Sequence, residues 1–191
     1  MKRALSIVVA AAGVLLGGCT VTLGQYQPSA ETVTQLRDSG IGKLSTGQFS
    51  LAPGAKADLD KYVTSRGSQA NPPNGWTFSR YLQEALTADP KAAGMYDANS
   101  PLKVQGQLVD GTLDTGMSTG SASLSAHFQL VRGDQTLYDK TLKDSQTWES
   151  SFIGAVAIPK ALNEYASSFA RVLRALYADA DFKKAASASP P

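Results

Sequence analysis

The sequence holds one cysteine, Cys19, and one histidine, His127. A zinc site draws on several Cys and His ligands, and one thiol cannot close an internal disulfide, so both are excluded. No cofactor or metal is expected. A Ser-His-Asp arrangement would need His127, with a serine and an aspartate folded against it. His127 lies between Ala126 and Phe128 in an alternating run, so its imidazole falls on the side away from the apolar residues. It reads as an exposed strand histidine. A carboxylate pair for glycosidic cleavage would come from Asp110, Asp114, Asp139 and Asp144. Each stands near a predicted turn, where aspartate serves the backbone. Gly111, Gly116 and Gly120 occupy a Ser/Thr-rich loop with no helix after it, which is no phosphate cradle. The inventory predicts no enzyme.

The thiol has another chemistry open to it. Met1-Lys2-Arg3 gives a basic start, and Ala4 to Leu16 is apolar except for Ser6 and Gly13. That run fits the roughly 7–15 residues of a signal-peptide core and falls short of the ~20 that span a bilayer. It ends in Leu16-Gly17-Gly18-Cys19. An aliphatic residue, two small residues and a cysteine resemble the lipobox of bacterial lipoproteins, and the small residues let a peptidase groove accept the extended backbone. The resemblance implies that Cys19 receives a diacylglyceryl group, that cleavage falls between Gly18 and Cys19, and that the new amine is acylated. One chain holds a protein marginally, at about 0.8 kcal/mol per buried methylene; three make release negligible. Thr20 is not the aspartate that retains enterobacterial lipoproteins at the inner membrane. The expected location is therefore the outer membrane, with the domain facing the periplasm.

Removing Lys2 and Arg3 leaves 16 basic and 16 acidic residues. With no net charge and no cluster of Lys or Arg, the mature chain lacks the footprint of a nucleic-acid binder. Its length suits one domain.

The elements follow from periodicity. Residues 1–18 are the signal peptide, 19–40 a lipidated N-terminus and tether, 41–183 the periplasmic domain and 184–191 a disordered tail. Phe78, Tyr81, Leu82, Ala85 and Leu86 share one helix face, with Thr77 as cap and Asp89-Pro90 as the stop. Leu102, Val104, Gly106 and Leu108 alternate with polar residues, as do Ala122, Leu124, Ala126, Phe128 and Leu130. Arg132 to Gln135 reads as a hairpin loop into a strand over Thr136–Leu142, and Ser145–Phe152 as another. Pro159 opens a long helix whose stripe includes Leu162, Tyr165, Phe169, Leu173 and Tyr177. Lys160 and Arg174 fall on its exposed side. These elements predict an α+β fold: an antiparallel sheet of about four to five strands with two amphipathic helices on one face.

Four stretches carry a resemblance over most of residues 43–182. They are Phe78-Ser79-Arg80-Tyr81-Leu82-Gln83-Glu84-Ala85-Leu86, Ala93-Gly94-Met95-Tyr96-Asp97, Trp148-Glu149-Ser150-Ser151-Phe152 and Asp179-Ala180-Asp181-Phe182. In this order of elements they resemble the YajG, LptE-like and ABC-transport auxiliary lipoproteins. That resemblance implies a membrane-tethered, non-enzymatic accessory or binding subunit in envelope assembly or transport, with an envelope protein as partner. A small lipid or glycan carrier is the second expectation, which a cavity lined by Leu124, Phe128 and Phe169 would favour. A hydrolase using His127 or a carboxylate pair is the third. For a partner surface the candidate is the uncharged run from Phe152 to Ile158, above all Phe152, Ile153, Val156 and Ile158. The same run also fits a buried helix entry, and Trp76 and Trp148 read as packing residues.

Overall fold

The longest alternating run in the sequence becomes the centre of the main sheet. The structure, a computed structural model, describes residues 20–187. In chain order it forms β1 (Thr20–Thr22), α1 (Ala30–Arg37), β2 (Ser45–Leu51), β3 (Val63–Ser65), β4 (Ser68–Asn71), α2 (Phe78–Ala93), β5 (Leu102–Asp114), β6 (Thr119–Arg132), β7 (Gln135–Glu149), α3 (Gly154–Ala178) and α4 (Ala180–Ala186). Ala122, Leu124, Ala126, Phe128 and Leu130 of β6 are all buried. The fold is α+β, with a four-stranded sheet ordered β2-β5-β6-β7 and a three-stranded sheet ordered β1-β4-β3.

The sheet departs from the expected all-antiparallel arrangement. β5, β6 and β7 pair antiparallel, but β2 joins β5 in parallel. Parallel neighbours need a long crossover, and the chain between β2 and β5 supplies one containing α2. Gly106 of β5 serves this pairing. Phe49 of β2 lies across it to meet Phe128 edge-on, 6.3 Å between centroids. A Cβ at Gly106 would stand 2.8 Å from the Phe49 ring and 2.5 Å from the His127 carbonyl oxygen. The two expected strands over 136–152 are one continuous strand, β7. On this edge strand the inward positions after the buried Tyr138 are only half-buried, which blurs the alternation.

Both amphipathic helices pack on one face of the sheet, α2 over β2 and β5 and α3 over β6 and β7. Between them Phe78 stacks on Phe169 at 5.8 Å and meets Tyr165 edge-on at 5.4 Å, while Tyr81 meets Phe169 at 4.9 Å. Such pairs add about 0.5–1.5 kcal/mol each beyond their buried area. Leu124, Phe128 and Phe169 are completely buried, so side chains fill the space assigned to a carried lipid.

Both helices run past the prolines expected to bound them. Thr77 does cap α2, accepting from the Arg80 N–H at 3.1 Å, but the helix continues through Pro90 to Gly94. Pro90 lies in the last turn, where it forfeits the one hydrogen bond an N–H would make to the Leu86 carbonyl while few residues follow it, and Gly94 at φ 75° closes the helix. α3 starts at Gly154, so Pro159 lies in its second turn. There it removes one hydrogen bond near an end that lacks several anyway.

The segments read as tether and tail also contribute structure. Leu23 and Leu36 are buried, and Ser29 caps α1 through the Thr32 N–H. Asp179 caps α4 by accepting from Asp181 and Phe182, and Phe182 packs edge-on against Tyr138. Phe182 and Ala186, one helical turn apart, are both buried, which carries order to Ser187. Short amphipathic pieces flanked by polar residues produce too little periodicity to stand out.

Leu173 is fully buried, whereas Lys160 is exposed. Arg174 is not free as expected: it pairs with Glu31 of α1, and its backbone carbonyl accepts from Gln35 at 3.0 Å. Thermal melts check this phasing. Leu173→Asp should cost on the order of 4 kcal/mol, Arg174→Ala about 1 and Lys160→Ala close to nothing. Equal shifts for Leu173→Asp and Lys160→Ala would show the helix is misphased.

Candidate functional site

Three connections meet at one end of the molecule. The first is the β3–β4 turn, where Arg66 adopts a left-handed φ of 48° ahead of Gly67. Its guanidinium donates to the carbonyl of Gly116 and, at 3.3 Å each, to those of Ser151 and Phe152. The second is the β5–β6 turn. Its Thr115 N–H donates to Ser65 Oγ at 2.8 Å, and that hydroxyl donates to Thr115 Oγ1 at 3.1 Å. The third is the β7–α3 connection. Ser150 donates its N–H to the Ser118 carbonyl at 2.8 Å and its hydroxyl to the Thr115 carbonyl.

This frame carries an apolar surface. Phe152 is 75 % exposed, Ile153 62 %, Val156 58 % and, from the β5–β6 turn, Met117 65 %. These large apolar side chains are held outward on a pinned backbone, which makes them the candidate surface. The Phe152–Ile158 run therefore splits. Phe152, Ile153 and Val156 are surface, but Ile158 turns inward beside Val63, Leu113 and Leu162 and leaves the candidate set. Ala157 is buried with it, because the helix already begins at Gly154 and its period sends 157 and 158 to the core side. Trp76 and Trp148 are half-buried against the core, as packing residues. Gly18 and Cys19 lie outside the described residues.

Of the polar candidates, only His127 and Asp139 come together. His127 faces the uncovered side of the sheet, its Nε2 2.6 Å from Asp139 Oδ1, while Gln129 donates to Asp139 Oδ2 at 2.7 Å. These hydrogen bonds, from Gln129 first and then His127, hold the Asp139 carboxyl below its ordinary range. Asp144 accepts from Arg171 Nε at 3.0 Å under α3, and Asp114 accepts from the Gly116 N–H at 2.9 Å in its turn. Asp110 stands in β5 opposite Ser125. Among the described residues no serine hydroxyl hydrogen-bonds His127.

One motif escaped the sequence reading. Gly116-Met117-Ser118-Thr119-Gly120 has the Gly-x-Ser-x-Gly spacing of a hydrolase nucleophile elbow. That chemistry needs a strand-to-helix turn, and here the motif joins two antiparallel strands. From Thr119, β6 must run eight residues, about 26 Å, to reach His127. The structure does not bring serine and histidine together.

A buried carboxylate also went unread. Asp89, taken as a helix stop, is wholly buried and accepts from Tyr26 Oη at 3.0 and 3.1 Å and from Tyr177 Oη at 3.3 Å. Burial pushes its carboxyl up to about 6, against the opposing pull of the two tyrosines and the Arg174 charge. Burial likewise raises both phenols. The signal was present in the helix period, since position 89 follows Leu86 by three on the apolar face. The carboxylate ties the segment before α1 to α2 and α3, and serves packing.

No family model and no curated protein matches this sequence. Solved structures do resemble the fold. A DUF330 family protein of Xanthomonas campestris superposes with a TM-score of 0.56 at 14% identity, covering 86% of this chain and 96% of that one. A proposed lipoprotein of Caulobacter crescentus gives 0.45 at 16%, covering 85% and 100%. A hypothetical protein of Chlamydia trachomatis gives 0.43 at 10%, covering 72% and 96%. At these identities the first likeness establishes a shared fold with the DUF330 protein.

Asp89 yields a pH test. Its folded pKa lies above the unfolded value, so its favourable contribution is complete below about pH 4 and is lost as pH rises through about 6. The loss approaches about 3 kcal/mol at pH 7. Asp89→Asn should remove this slope: relative to the variant, the native chain should melt progressively lower between pH 4 and 7. Parallel melting-temperature curves would contradict the assignment.

Proposed function

We propose that this chain is a lipid-anchored envelope domain that works by binding rather than turnover, as an accessory subunit in envelope assembly or transport. The observation that carries this reading is the apolar end built from Met117, Phe152, Ile153 and Val156 on three cross-braced turns. Cross-bracing holds this surface ready, so little ordering cost falls due on contact.

The anchor in this reading is a lipid on Cys19, with the outer membrane as its site and the domain in the periplasm. Among the described residues no helix is long and apolar enough to cross a membrane. The membrane is the first surface this apolar end can meet, and an envelope protein is the partner class the reading calls for on the rest of the domain. The hydrolase alternative lacks a nucleophile: His127 pairs with Asp139, but Ser118 precedes the far end of β6 and no serine hydroxyl among the described residues hydrogen-bonds the imidazole.

Complementation of a deletion strain tests the reading, scored on detergent sensitivity of the envelope. Cys19→Ser should leave unprocessed precursor and fail to complement. His127→Ala and Ser118→Ala should complement fully. Loss of complementation by either of these, with normal protein levels, would turn the case toward a hydrolase.

A further inference from the structure

We infer that the apolar end is a lipid contact, seated in the interfacial layer of the same membrane that holds the anchor; this rests on the reading of Cys19 as lipidated. Strand register carries the argument. β1 pairs with β4 in parallel, Thr20 opposite Gln69 and Thr22 opposite Asn71. β4 begins directly after the β3–β4 turn, with Ser65 opposite Ser68. The chain therefore enters β1 at the turn end and runs away from it. That turn is the one whose Arg66 grips the carbonyls of Gly116, Ser151 and Phe152. The first described residue and the apolar surface share one end of the molecule.

There is no slack to separate them. Cys19 immediately precedes Thr20, and one residue spans at most about 3.6 Å. Acyl chains in the bilayer hold their cysteine at headgroup level, so the domain surface around Thr20 must lie within a few ångströms of the lipid. A protein partner on Phe152 and Val156 would have to fit into that gap. A bilayer already fills it.

The chemistry suits lipid. Ser150 to Pro159 contains no charged residue. Phe, Ile, Val and Met side chains partition into the upper acyl region, where interfacial elements bury about 5–10 Å deep. Around them stand the exposed cations Arg66 and Lys160, with the acids Glu149 and Asp114. Lys160 reaches the Glu149 carbonyl at 2.8 Å, and its long stem, like that of Arg66, lets the charge stay at the headgroups while apolar neighbours go deeper. The acyl chains supply attachment. The apolar end sets orientation, turning the open polar face of the sheet sideways to the membrane.

Cys19 is the sole thiol, so residues 19–191, which contain the whole described fold, can be coupled through it to a maleimide phospholipid in phosphatidylethanolamine–phosphatidylglycerol vesicles. This fixes the anchor point whatever the cell does to Cys19. Tryptophan is placed at Phe152 or, on the far β6–β7 turn, at Gln135, and the emission added over the native chain is compared in vesicles with and without brominated acyl chains. Phe152→Trp emission should fall about twofold with bromine, as burial at that depth requires, and Gln135→Trp emission should not change. Quenching at 152 no greater than at 135 overturns the inference, leaves the anchor standing and hands this end to a protein. A Cys19 recovered from cells without lipid overturns the anchor reading and the inference with it.

Discussion

Pairing of Thr20–Thr22 with the strand that follows the Arg66 turn governs the geometry at one end of this molecule. Because the pairing is parallel, it sets both where the chain enters and in which direction it leaves. Leu23, buried just beyond and bonded through its N–H to the Asn71 carbonyl at 2.8 Å, locks the strand in place. Without that register a lipid on Cys19 would hold the domain on a loose leash. With it, the proposed anchor would stand about one residue from the fold, which is what makes the proposed lipid contact of that end follow from the anchor.

The rest of the architecture is consistent with a rigid body of that kind. One sheet face is sealed by α2 and α3 through interlocked rings, and the other stays polar, with His127 and Gln129 each bonded to Asp139 on the next strand. The three connections at the apolar end are braced by main-chain carbonyls rather than by side-chain packing alone. A surface held this way keeps its shape in water, as an orienting contact must. Against this stands the buried Asp89, a cost in stability at neutral pH that two tyrosine hydroxyls only partly offset.

Much of the fold was legible because burial imposes period. β6 and the α2 and α3 stripes bury one full face each, and their residues were identified correctly from spacing. Where burial is partial the signal fades, as on the edge strand β7, whose Lys143-Asp144-Ser145 stretch looks like a break but pairs without interruption. Pro90 and Pro159 were read as helix limits because the sequence does not reveal that each lies close enough to an end to be tolerated. The β1–β4 pairing joins segments some fifty residues apart with no local mark, so residues 20–40 looked like a tether. The candidate surface was half legible: an uncharged apolar run can be core or surface, and only the start of α3 at Gly154 decides which residues face out. Met117 and Arg66 come to that surface through tertiary contact and were not visible at all.

Hydrogen exchange of the lipidated protein, on vesicles and free in detergent-poor buffer as the anchorless chain, tests the central claim most directly. Backbone amides of Met117–Ser118 and Phe152–Val156 should exchange markedly more slowly on the bilayer, while those of the β6–β7 turn at Gly133–Gln135 stay as fast as in solution. Unchanged exchange at Phe152–Val156, or slowing confined to the opposite turn, would contradict the account.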